Sequence, residues 1–140
     1  MPNSTRSRAG STVPAGRGPL GIVYLLHFDQ PYQHARHYTG FTDDLLDRLD
    51  RHARGHGARL MNVISAAGIG FVLVRTREGT RDIERAIKNG GGAVRYCPAC
   101  TPHPRNGHWG PVPADLTPRH YPHSPRAPYY TLLPDLGRRS

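Results

Sequence analysis

Residues 21–52 read GIVYLLHFDQPYQHARHYTGFTDDLLDRLDRH. The run Ile22-Val23-Tyr24-Leu25-Leu26-His27-Phe28 is apolar, rich in β-formers and too short for an ordinary helix, which predicts a strand. Its unbroken apolarity predicts a central strand covered on both faces. Alternation places Ile22, Tyr24, Leu26 and Phe28 on one face and Val23, Leu25 and His27 on the other. The polar stretch 29–35, with Pro31 inside it, predicts a long hairpin loop. Arg36-His37-Tyr38-Thr39 then predicts a short second strand that Gly40 ends. Thr42 reads as the N-cap of a helix, with Asp43 and Asp44 favoured at its positive end. Leu45 and Leu49 form the apolar stripe of that helix, and Arg48 and His52 stand beside the stripe one turn apart. Gly55 and Gly57 stop it.

Residues 58–67 predict a second helix, with Leu60 and Ile64 on its apolar side. Phe71-Val72-Leu73-Val74 predicts a third strand, bounded by Arg75. Residues 80–88 predict a third helix that turns Ile83, Ala86 and Ile87 inward and carries Glu84 and Lys88 at i and i+4 on its flank. The order is β-β-α-α-β-α, a small sheet with helices packed on it, which is an α+β solution.

The 140 residues leave room for one domain. Residues 1–19 contain no acid and no hydrophobic periodicity, and predict a disordered basic arm. Residues 97–140 start with a C-x-x-C and continue as a Pro/His/Arg-rich tail; nine of the fourteen prolines fall after residue 100. The folded domain is therefore expected over residues 20–96, with residues 1–18 and 106–140 removable at little cost in stability. The net charge is +9, and both tails share in it. Arg outnumbers Lys eighteen to one, and the planar guanidinium suits phosphate, so a polyanionic partner is favoured. Cys97 and Cys100 do not make a disulfide framework and fit a reducing compartment. No apolar run reaches the ~18 residues of a membrane span, and the expected location is cytoplasmic.

The unit formed by Ile22-Val23-Tyr24, Tyr38-Thr39-Gly40, the helix residues Thr42, Asp44, Leu45, Arg48 and His52, and the later Glu84-x-x-x-Lys88 resembles the GIY-YIG nuclease family over roughly residues 20 to 96. The resemblance implies a three-stranded antiparallel sheet flanked by three helices. It also implies a metal-dependent endonuclease that cuts nucleic acid, DNA in the first instance. Glu84 would hold one Mg²⁺ or Mn²⁺ ion, which keeps much of its hydration. Arg48 would face the scissile phosphate, Tyr24 and Tyr38 would present hydroxyls to the attacking water, and His52 would contact phosphate or relay a proton. Gly40, Arg51, Arg59 and Lys88 complete the expected nucleic-acid contacts.

Each of these residues also has a plainer reading. Glu84 can be a surface carboxylate paired with Lys88, and Arg48 a solvated partner of Asp44. The tyrosines can be core residues with satisfied hydroxyls, and His52 a neutral histidine packed beside Leu49. Cys97, Cys100, His103 and His108 have the ligand count of a zinc knuckle, against a reduced, unligated C-x-x-C. Arg119, Tyr121, Arg126, Tyr129 and Tyr130 interleave as a base-stacking stretch would, against an unstructured extension. Two other classes of function remain open: a nucleic-acid-binding module of this fold that does not cut, and a small protein-interaction domain.

Overall fold

The computed structural model describes residues 18–111 and 119–122. Strand β1 (Gly21–Tyr32) pairs antiparallel with β2 (Ala35–Thr42) on one side and with β3 (Phe71–Gly79) on the other. Helices α1 (Leu45–Ala53) and α2 (Arg59–Ala66) lie between β2 and β3 in the chain, and α3 (Arg81–Gly90) follows β3. Two 3₁₀ turns, Ala93–Tyr96 and Gly107–Trp109, lead to a last short strand, β4 (Arg119–Tyr121). The α+β class, the antiparallel pairing and the three α-helices agree with the expectation. The strand count does not: the sheet has four strands in the order β2-β1-β3-β4, and β4 extends the element order beyond the expected third helix. A tail rich in proline concealed it, because three residues pairing with an already formed β3 edge need no periodicity of their own.

Local differences follow from turn and cap chemistry. The hairpin is tight: β1 runs on to Tyr32, which pairs with Ala35, and Gln33 takes a φ of 55° at the turn. Pro31 is accommodated where the β1–β2 register shifts between His27 and Tyr32. Gly40 does not end the second strand but lies inside β2, opposite Tyr24. Asp44, not Thr42, caps α1, its carboxylate accepting from Asp47 N at 3.2 Å. The Thr42 hydroxyl instead accepts from Asp44 N at 3.0 Å and fixes the approach to that cap.

The sheet is covered on both faces. Tyr24, Leu26 and Phe28 pack with Leu73, Phe71 and Tyr121 against Leu49 of α1 and Met61 and Ile64 of α2. Val23, Leu25, Val72 and Val74 form a second core with Ile83 of α3, Cys97 and Trp109. The packed chain thus continues past the expected boundary at residue 96. Arg75 makes this possible. A bulge in the β1–β3 pairing brings Arg75 opposite Leu25 and so onto the second face, although alternation from Val74 would aim it at the first. There its buried guanidinium donates to the carbonyls of Tyr96 (3.2 Å), Arg105 (2.8 Å) and Gly110 (2.8 Å). It also lies 6.0 Å from the centroid of the Trp109 ring. Tyr121 is buried and stacks on Phe71 with centroids 4.9 Å apart, so it serves the core and not base stacking. Residues 1–17, Arg126, Tyr129 and Tyr130 lie outside the described residues.

These contacts reverse the expectation for truncation. Ending the chain at residue 105 removes Trp109, the Gly110 carbonyl and Tyr121, and is expected to unfold the domain or leave it poorly folded. Trp109→Ala should cost about 3–5 kcal/mol. Arg75→Met should cost about 3 kcal/mol or more, because three carbonyls lose one shared donor. Urea midpoints of the two variants, read by far-UV circular dichroism, check both values.

Candidate functional site

Four elements bring the expected residues to the β2 edge of the sheet. β1 supplies Tyr24, β2 supplies Tyr38, α1 supplies Arg48 and His52, and α3 supplies Glu84 and Lys88. α3 packs along β2, so its side chains reach the same edge as those of α1. Tyr24 Oη and His52 Nε2 are 2.7 Å apart and buried. The Tyr38 ring meets Tyr24 at 6.2 Å and His52 edge-on at 5.3 Å, centroid to centroid. Lys88 Nζ lies 3.1 Å from Glu84 Oε2 and 5.4 Å from the centre of the Tyr38 ring, bridging carboxylate and phenol. The Arg48 charge is felt by Tyr24, His52 and Tyr38 alike.

Two glycines make the packing possible. A Cβ at Gly40 would overlap the phenol end of Tyr24, and one at Gly57 would overlap the imidazole of His52. Gly40 is therefore a packing residue beneath Tyr24, where the sequence suggested a contact to nucleic acid. Gly57, read only as a helix stop, leaves the space that the His52 ring fills.

Burial divides the expected catalytic set in two. Tyr24 and His52 are 0% and 1% exposed, so neither hydroxyl nor ring meets solvent. Tyr38 and Arg48 are half-buried, Lys88 is exposed, and the three form the accessible rim. The expectation that Tyr24 presents its hydroxyl to an attacking water is corrected on this point: Tyr38 covers it. Burial, with the Arg48 charge added, lowers the His52 pKa to about 3. Burial raises Tyr24 above its usual range, as do Tyr38 and Glu84, while the charge of Arg48 acts the other way. Tyr38 is also raised, mainly by burial, with the Lys88 charge opposing. At neutral pH the buried pair is thus a phenol and a neutral imidazole. His52 Nδ1 has no partner among the described residues, and the short Tyr24–His52 contact is a single hydrogen bond between phenol and imidazole.

Glu84 is 6% exposed, and its other oxygen faces Arg81 Nη1 at 3.8 Å, too long for a hydrogen bond. Asp44 forms no ion pair with Arg48 among the described residues, since its carboxylate is used in the cap. The remaining expected contacts lie apart from this cluster. Arg51 is exposed and paired with Asp47 at 3.1 Å, and Arg59 is exposed on α2. Arg81, which sequence reasoning missed, stands over the Phe41 ring at 5.0 Å and adds to the cationic rim. A cleft of about 320 Å³ opens beside this rim, lined by Tyr38, Lys88, Leu60, Ile87, Ala93 and Tyr96 among others.

A second cluster lies on the opposite face of the same hairpin. His27, His37, Cys97 and Cys100 hold one donor atom each, all within 4.8 Å of one another. This corrects the histidine partners expected of the C-x-x-C. His103 and His108 are exposed and are not part of the cluster; β1 and β2 supply the histidines instead. His27 faces His37 directly across the β1–β2 pairing. A histidine inside an apolar strand was the available signal, but the irregular hairpin hid which residue it meets. Burial lowers the pKa of both histidines, with His37 brought to about 4, and raises the Cys97 thiol to about 12.

No family model matches this chain, and no curated protein or solved structure matches it. Among the described residues no helix is long and apolar enough to cross a membrane.

The His52 shift predicts an acid-sensitive fold. The folded pKa lies below the unfolded value near 6.5, so the unfolded chain binds the extra proton first. The stability contributed by neutral His52 is complete above about pH 6.5 and is lost as pH falls toward about 3. His52→Gln should flatten the dependence of the unfolding free energy on pH between 7 and 4, measured by urea titration, by up to about 1.4 kcal/mol per pH unit. Parallel curves for wild type and variant would contradict this assignment.

Proposed function

We propose that this chain is a metal-dependent endonuclease that hydrolyses phosphodiester bonds in nucleic acid, DNA in the first instance. One observation carries the reading: Tyr24, Tyr38, Arg48, His52 and Glu84, spread over sixty residues of sequence, converge on one cationic patch at a sheet edge. The net charge of +9 supports a polyanionic substrate.

The residues present fit a divalent cation. The space between Glu84 and Tyr38 already accommodates a positive charge, because Lys88 Nζ lies there, and the Lys88 side chain is 45% exposed and free to swing outward. Glu84 would hold Mg²⁺ or Mn²⁺ by its single carboxylate, with water completing the shell. When bound, the ion supplies Lewis-acid stabilisation to the phosphate. The protein's own groups do the rest. Arg48 directs its guanidinium at the non-bridging oxygens, where negative charge grows as water attacks phosphorus and the P–O ester bond breaks. Tyr38, a phenol at neutral pH, orients the attacking water by a hydrogen bond. Tyr24 and His52 act from beneath as positioning residues: hydrogen-bonded to each other, they form the floor on which Tyr38 packs. Lys88 and Arg81 add ground-state attraction for the backbone.

The alternative of a binding module that does not cut is favoured by one feature, the ion pair that Lys88 makes with Glu84. Single-turnover cleavage and equilibrium binding, measured side by side on duplex, branched and single-stranded DNA with Mg²⁺, decide between the two. Cleavage should be abolished in Glu84→Gln with binding retained. Arg48→Ala should lower turnover by about a hundredfold or more while affinity falls much less. Tight, salt-sensitive binding without product in either Mg²⁺ or Mn²⁺ would establish the binding module instead.

A further inference from the structure

We propose that His27, His37, Cys97 and Cys100 are the four ligands of a structural zinc ion. The argument is independent of the nuclease reading. His27 Nδ1 is approached at once by His37 Nε2 at 3.3 Å, Cys97 Sγ at 3.4 Å and Cys100 Sγ at 3.5 Å. One ring nitrogen has either a single N–H or a single lone pair, so hydrogen bonding accounts for one of these neighbours and not for three. A fourth short approach, Cys100 Sγ to His37 Nε2 at 3.4 Å, closes the group.

A shared cation explains the crowding. In a tetrahedron with Zn–N arms of ~2.0–2.1 Å and Zn–S arms of ~2.3 Å, neighbouring nitrogens are roughly 3.4 Å apart, and nitrogen and sulfur roughly 3.6 Å. The four separations above lie within about 0.2 Å of these edges. Two thiolates balance the dication, so the site is neutral where Cys97 is fully buried. The backbone is prepared for it as well. Cys100 N and Thr101 N both donate to Cys97 O, at 3.0 and 3.1 Å, curling the C-x-x-C so that the two sulfurs face one way. Four protein ligands leave no open position, which distinguishes a structural site from a hydrolytic one.

The position of the site defines its role. His37 precedes Tyr38, and His27 lies on the strand that carries Tyr24, so the ion would fasten the segment after α3 to the hairpin beneath the catalytic edge. The fold gains a link between two parts of the chain seventy residues apart, and metal binding becomes part of the folding free energy.

The test uses the full chain, purified without metal-chelating resin. Elemental analysis should find about one zinc per chain, as a four-ligand site requires. Replacement by Co²⁺ should give the strong visible bands of a tetrahedral thiolate–imidazole centre. Cys100→Ser and His37→Ala, both away from the fully buried core, should lose the metal, whereas His103→Ala and His108→Ala should keep it. Stripping the metal should shift the emission of Trp109, the single tryptophan, to the red. Failure of the wild-type chain to take up either Zn²⁺ or Co²⁺ would overturn the proposal. So would undiminished binding in Cys100→Ser together with His37→Ala, or loss of metal in His103→Ala or His108→Ala. Because the Co²⁺ spectrum is taken on the wild-type chain, poor folding of a variant does not shelter the idea.

Discussion

The arrangement depends on a strand that water cannot reach from either side. Val23, Tyr24, Leu25, Leu26 and Phe28 of β1 are all 0% exposed, so both faces of the sheet must be covered. α1 and α2 cover one face. α3 alone is too narrow for the other, and the irregular segment from Cys97 to Gly110 supplies the remainder. Irregular backbone is costly to bury unless its polar groups are matched. Arg75 meets that need by giving one guanidinium to three carbonyls, with Trp109 closing over it.

The same strand carries the two clusters back to back. Tyr24 points toward α1 and His27 toward the C-x-x-C, three residues apart on opposite faces. At the first cluster, desolvation decides the protonation states: it keeps His52 neutral and Tyr24 protonated, and the charge of Arg48 does not outweigh it. The buried pair is therefore uncharged, while charge is carried by Arg48, Arg81 and Lys88 at the rim and by the buried Glu84 paired with Lys88. Under the proposed nuclease reading, an uncharged floor beneath the Arg48 guanidinium requires little reorganisation when charge develops above it.

Much of this was legible in the sequence where hydrophobic period and residue type act locally. The run at residues 22–28 and the three helices, expected near 42–52, 58–67 and 80–88, followed from spacing; the side chains that meet at the β2 edge were named by the resemblance. What remained hidden depended on register and burial. The bulge in β3 re-aims Arg75, which alternation would send to the wrong face. The irregular hairpin decides that His27 meets His37, and no count of loop residues could supply that pairing. Pro-rich sequence after residue 96 has no period of 2 or 3.6, because it is held by carbonyl acceptors, one Trp and three strand residues at an edge. Thr42 was the expected cap; its hydroxyl accepts from Asp44 N instead, and Asp44 takes the capping position.

The late position of the segment from Cys97 to Tyr121 also matters for how the molecule comes into being. A growing chain presents β1, β2 and β3 before the residues that cover their second face have been made. Val23, Leu25, Val72 and Val74 are then an apolar surface without its lid, and the β3 edge that β4 will cap is unpaired. Such surfaces and edges invite association between chains. The contacts that remove them join residues far apart in sequence, and contacts of that kind form slowly. Synthesis through Trp109 and Tyr121 is therefore the step at which this chain ceases to be adhesive, and a shortage of chaperone at that moment would fall on the second face of the sheet first.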